Sequence, residues 1–144
     1  SDSFVVGRWR AELLDFITAS ADIVLANEAE LTALFETEDF DAACDRLAAL
    51  VETAAVTRGA EGSVGIRGAE RVAVPAYPVD KVVDTTGAGD QYAAGFLLGL
   101  ARGLPLAAAG RLGSLAASEV IAHWGPRPMP GLKALAEETG LTLN

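Results

Sequence analysis

Residues 84–90 read Asp-Thr-Thr-Gly-Ala-Gly-Asp, and an apolar run with helical spacing follows to Leu100. Glycines let a backbone approach a ligand closely. A helix beginning at about Ala88 would offer unpaired N–H groups and the positive end of its dipole. Such a cradle can hold a phosphate oxygen or stabilise charge developing on a transferred group. Asp90, in the first turn, would stand beside that site as a base able to take a proton from a substrate hydroxyl. Amides next to a base suit phosphoryl transfer. The plainer alternative is a glycine turn in which Asp90 is only a favourable first-turn charge.

Two other phosphate loops do not fit. A P-loop needs a lysine followed by Ser or Thr after its second glycine, and none stands here. The dinucleotide fingerprint needs a third glycine where this chain has Tyr92, which argues against a nicotinamide dehydrogenase.

These residues need elements to hold them. The spacing of Val5, Trp9, Leu13 and Phe16 predicts one amphipathic helix over 4–19. Residues 22–27 read as a buried strand ending at Asn27, 28–35 as a helix, and Asp39 as the N-cap of a helix over 40–52. A strand over 54–59 and a hairpin of 63–68 with 71–77 come next. Two helices over 88–102 and 104–123, a rigid loop at 125–130 and a short helix over 131–140 complete the chain. Strands alternating with helices predict a single α/β domain over 1–144, with ligands beyond the carboxyl ends of the strands. Three turns fall there: Asn27–Glu30, Thr57–Gly62 and Asp84–Asp90.

The formal net charge of −9 argues against non-specific nucleic-acid binding and against an anionic membrane surface. No apolar run is long and pure enough for a transmembrane helix, and the first residues do not read as a signal peptide. One cysteine, Cys44, and one histidine, His123, permit neither an internal disulfide framework nor a Cys/His metal cluster, which fits a cytoplasmic protein. Cys44 reads as a small buried residue. His123 reads as a packing or surface residue rather than a catalytic one, and Trp9 and Trp124 read as packing residues.

The string "DTTGAGDQYAAGFL" resembles the C-terminal signature of the ribokinase-like, or PfkB, family of sugar and nucleoside kinases. The wider run, from "DIVLANEAEL" through "VTRGAEGSV" to "LGSLAASEVIAHWGPRP", is similar to that family in order and spacing, most of all to bacterial adenosine-kinase-like members. The resemblance implies a three-layer α/β/α sandwich, with this chain as its C-terminal, ATP-side portion. It implies Asp90 as the general base, and the amides of Gly87, Ala88 and Gly89 as the anion hole for the γ-phosphate. Asn27 and Glu30 match an Asn-x-x-Glu motif that helps organise Mg²⁺ and phosphate; from spacing alone, a helix cap and its capping partner fit equally well. Thr57, Gly59 and Gly62 would lie along ATP, and Arg58 is either a contributor there or a solvated loop charge. Gly113 and Ala117 would leave room for the adenine, or simply allow tight helix packing. Asp84 and Thr86 match where relatives bind a monovalent cation such as K⁺.

Members of the family are longer chains. Their earlier half carries the start of the sheet, a small β lid and most acceptor-binding residues, and the resemblance implies that this chain lacks that half and lid. The resemblance therefore predicts an exposed sheet edge and an apolar face, to be covered by the missing N-terminal half or by a homo-oligomer partner. It also predicts that this chain alone is inactive. The leading expectation is an ATP-dependent kinase acting on a hydroxymethyl group of a sugar or nucleoside. A non-catalytic nucleotide-binding fragment or scaffold, and a kinase of a vitamin-like alcohol, are the alternatives.

Overall fold

The β-branched and alanine-rich segments β1 (Ile23–Asn27) and β2 (Thr53–Thr57) pair as parallel strands, in a register that sets Asn27 opposite Thr57. Parallel neighbours need a crossover between them. Helices α3 (Glu28–Phe35) and α4 (Phe40–Ala48) supply it. This computed structural model describes residues 3–128, 131–138 and 140. Before β1 lie α1 (Ser3–Arg8) and α2 (Arg10–Ser20). After β2 come a short 3-10 turn (Gly59–Glu61) and the strands β3 (Ser63–Arg67) and β4 (Glu70–Val74). Helices α5 (Ala88–Ala101), α6 (Leu106–Ile121) and α7 (Leu132–Glu138) close the described chain. The expected helix over 131–140 is present in shorter form as α7, with Gly131 and Gly140 outside it; Thr139 lies outside the described residues, as do Met129 and Pro130 of the expected rigid loop.

The sheet runs in the order β1-β2-β3-β4. The Gly68 N–H donates to Glu52 O at 3.0 Å, so the end of β3 meets the approach to β2 and the two run antiparallel. Pro75 has no N–H to give to a ladder, and β4 stops at Val74 rather than at the expected residue 77.

Within this α/β chain two compact units can be distinguished, one of Ser1–Arg58 with Val64–Arg71, the other of Gly59–Ser63 with Val72–Asn144. The first is built on Leu31, Leu34, Phe35, Ala43, Leu47 and Val56. Each large side chain among them contributes about 1.5–3 kcal/mol through burial. Asp39 caps α4 as expected, accepting the Ala42 N–H at 3.0 Å. Cys44 is fully buried, and burial pushes its thiol pKa up, which leaves it unreactive. In the second unit α5 packs on α6, with Phe96, Leu112 and Leu115 buried.

Three expectations fail in the first unit or near the C-terminus. The helix over 4–19 is two helices, because Trp9 leaves helical geometry at φ −114°, ψ 27°. Val5, Trp9 and Phe16 lie on the outside, and Val6 and Ile17 face the core. The first segment carries two apolar stripes, and the break at Trp9 lets the other one win. Strand β1 is not buried: Ile23 is 41% exposed, because β1 is the outermost strand in the sheet order. Trp9 and Trp124 are not packing residues, being 50% and 81% exposed.

Candidate functional site

Helix α5 begins where the Gly-Ala-Gly-Asp string predicts. Gly87 is its N-cap, at φ 81°, ψ 0° in the left-handed region, and no side chain caps the helix. A Cβ at Gly87 would lie 2.7 Å from Pro126 Cβ, so glycine is required by conformation and by space. Asp90 is exposed in the first turn. Gly89 faces open space, with nothing within 4 Å of a Cβ placed there. First-turn N–H groups have no carbonyl one turn back to bond. The expected anion hole comprises the amides of Gly87, Ala88 and Gly89. The Ala88 N–H donates to Thr85 O at 3.2 Å and is taken up by the turn, which leaves the amides of Gly87 and Gly89 as the candidates.

The approach to this turn is tied down by Asp84. Its Oδ1 accepts both the Thr86 N–H at 3.0 Å and the Thr86 hydroxyl at 2.7 Å. Those bonds, the hydroxyl's first, hold the Asp84 carboxyl below the usual aspartate range, with the Gly125 N–H adding to the effect. The Thr86 oxygen keeps lone pairs while donating, so Asp84 and Thr86 remain chemically suited to a hard monovalent cation.

Of the residues expected around the base, Gly113 is buried, and a Cβ there would sit 2.9 Å from Tyr92 Cε2 and from Tyr92 O. Its small size is thus demanded by the fit of α6 on α5. Ala117, one turn on, is half-buried. Tyr92 is held from its far end, its hydroxyl bonding to Ser63 Oγ at 2.8 Å, and burial raises its pKa. Gly59 is exposed with open space around it, at φ 56°. Gly62 is buried, and a Cβ there would lie 2.1 Å from Val74 O. Of the two, Gly59 is the one a ligand can reach.

The turn after β1 is different in kind. Asn27 Oδ1 accepts the Glu30 N–H at 2.9 Å, and Glu30 Oε2 accepts the Asn27 N–H at 3.0 Å. This reciprocal capping box is the capping arrangement that the spacing allows. Glu30 is only 8% exposed, and its carboxylate is engaged by the Asn27 N–H. Among the described residues no group of three or more His, Cys, Asp or Glu side chains could hold a metal ion. Thr57, opposite Asn27, is half-buried.

Sequence spacing missed one cluster altogether. Arg58 is not a solvated loop charge. Its Nη2 pairs with Glu28 Oε1 at 3.0 Å, and its guanidinium lies 4.1 Å from the centre of the Phe40 ring. The three residues are far apart in sequence, and only the lone cation after β2 hints at them.

The pattern of the pfkB family carbohydrate kinase matches residues 4–131. The chain belongs to the pfkB family. Among solved structures, this pfkB chain is similar to a probable sugar kinase of Rhizobium etli, with TM-score 0.96 and 48% identity over 99% of this chain and 43% of that one. It is also similar to an adenosine kinase of Sinorhizobium meliloti, with TM-score 0.93 and 52% identity over 96% of this chain and 43% of that one. A cytidine kinase of Thermococcus kodakarensis is 38% identical over 119 residues, 81% of this chain and 42% of the relative. The fold is accordingly ribokinase-like. The pfkB chain spans less than half the length of these relatives. None of its described helices is long and apolar enough to cross a membrane.

Proposed function

We propose that this chain is the nucleotide-binding, catalytic-base portion of an ATP-dependent kinase that phosphorylates a hydroxymethyl group of a sugar or nucleoside, with an adenosine-like acceptor favoured. The observation that carries the reading is the uncapped N-terminus of α5, with Gly87 left-handed and Asp90 exposed in the next turn. Similarity to an adenosine kinase supports the acceptor class. In this reading Asp90 takes the proton of the acceptor hydroxyl as that oxygen bonds to the γ-phosphorus. The bond from the γ-phosphorus to the bridging oxygen breaks, and ADP leaves. The amides of Gly87 and Gly89 meet the charge on the transferred group. Thr57 and Gly59 serve the nucleotide, and Gly113 and Ala117 border the adenine. Glu30 would help hold a Mg²⁺ ion, which would offset the negative charge of the triphosphate. K⁺ is assigned to Asp84 and Thr86.

The chain's share of its relatives' length favours a second reading, a nucleotide-binding part that needs a complementary half or a second copy before any acceptor is phosphorylated. One experiment addresses both. The protein at its natural length is assayed for ATP-dependent phosphorylation of nucleosides, sugars and hydroxymethylpyrimidines, alongside Asp90→Asn. The expected outcome is turnover on a nucleoside or sugar that falls by about 10²–10⁴-fold in the variant, with ATP affinity unchanged. Near-normal turnover in the variant removes Asp90 as the base. Nucleotide binding without transfer to any acceptor supports the second reading, and turnover only on the pyrimidine alcohol reassigns the substrate class.

A further inference from the structure

We infer that Arg58 is a positioning residue that acts through Glu28. It neutralises that carboxylate and holds it against the end of β2, so that a nucleotide's phosphates meet the turn after β1 with one negative charge fewer. The inference rests on the nucleotide reading of this site and assigns the site's charge control.

Parallel strands β1 and β2 end side by side, with Asn27 opposite Thr57. Each is followed at once by a charged residue, Glu28 and Arg58, and these pair at 3.0 Å. The pair is half-buried, with side-chain exposures of 39% for Glu28 and 27% for Arg58. Screening by solvent is therefore weaker than for a surface ion pair. The guanidinium carbon lies over the ring of Phe40, the first residue of α4, at 4.1 Å from its centre. The turn's other carboxylate, Glu30, is engaged by the Asn27 N–H. In a chain of net charge −9, a polyanionic ligand gains when carboxylates at its site are neutralised. Arg58 does this for Glu28 without needing to touch the ligand. A lysine would lack the flat face that Phe40 covers.

The test compares binding of ATP, ADP, AMP and adenosine to the natural-length protein and to the variants Arg58→Met, Glu28→Gln and Arg58→Met with Glu28→Gln. Thermal unfolding of each is read separately. Arg58→Met is expected to weaken ATP binding by about three- to tenfold, ADP and AMP less, and adenosine not at all, because the penalty scales with ligand charge. The double variant, with no charge left at either position, is expected to return ATP affinity to within about twofold of the parent. Glu28→Gln alone removes the carboxylate's charge while keeping that of Arg58, and is expected to tighten ATP, with a steeper salt dependence. It keeps the test decisive if Arg58→Met does not fold. Equal losses for ATP and adenosine, a double variant as weak as the single, or a Glu28→Gln protein that binds ATP no tighter than the parent each overturn the inference. A parent that binds none of the four ligands overturns the nucleotide reading itself, a distinct failure.

Discussion

Helix α3 starts directly from strand β1 and α5 from a glycine turn, and the two N-termini spend their amides differently. At α3 the side chains of Asn27 and Glu30 close a reciprocal cap, with bonds of 2.9 and 3.0 Å. At α5 the N-cap is a glycine and has no side chain to offer. The α3 end is finished by its own residues, and its carboxylates are committed to the cap and to Arg58. The α5 end has no side-chain cap of its own, and the proposed function gives that end to the nucleotide. Satisfied donors stabilise a fold, whereas unsatisfied and preorganised donors are what a developing charge can use. A motif of glycines and one of capping residues can therefore sit at equivalent places in a chain and do opposite work.

Beyond the loss of turnover proposed for Asp90→Asn, the largest effect that sharpens this contrast is that of Gly87→Ala. A left-handed φ of 81° suits glycine, and the new Cβ would meet Pro126 at 2.7 Å. A stability loss of about 1–3 kcal/mol is expected, together with loss of nucleotide binding. Urea unfolding and nucleotide titration on the same preparation read both. A variant as stable as the parent that binds nucleotide equally well would show that the α5 turn has no special conformation to protect.

Asn27→Ala probes the opposite end of the comparison. It removes the acceptor for the Glu30 N–H and half of the cap. The expected cost is about 0.5–2 kcal/mol, seen as a lower unfolding midpoint. In a folded sample at low temperature, any fall in turnover should be far smaller than that from Asp90→Asn. If turnover collapses while stability holds, the α3 turn is not merely a finished cap, and its amide or carboxylate meets the ligand directly.

Much of this contrast was legible beforehand. The bounds 28–35 of α3 follow from Asn27 and Glu30 at capping-box spacing, and the start of α5 from Gly87 with the apolar run behind it. Local rules of this kind act over one turn, so sequence alone carries them. What was not legible depends on partners distant in the chain. Arg58 and Glu28 are 30 positions apart, and nothing in either neighbourhood predicts their pairing. The exposure of Ile23 depends on its strand being outermost in the sheet, which an apolar run cannot reveal. The choice between two apolar stripes before β1 turned on a single break at Trp9. Gly113 gave an ambiguous signal, since room for a ring and room for Tyr92 demand the same small residue.

The smallest expected effect concerns how firmly the α5 turn is held before any ligand arrives. The Asp84 carboxyl is held below the ordinary aspartate range, chiefly by the Thr86 hydroxyl and then by the Thr86 N–H. A carboxyl whose pKa is depressed in the folded state adds stability above its unfolded pKa, and that contribution is lost as pH falls through the folded value. The relevant window therefore lies in acid, below about pH 4, and neutral pH should show nothing. Thr86→Val keeps the branched shape and removes the hydroxyl. Titration of the Asp84 carboxyl, followed by NMR, should move up toward the ordinary aspartate range, and acid unfolding should begin at a correspondingly higher pH. An unchanged titration would mean that the Thr86 and Gly125 N–H groups hold the carboxylate, and that the hydroxyl bonded at 2.7 Å adds nothing to the order of the turn.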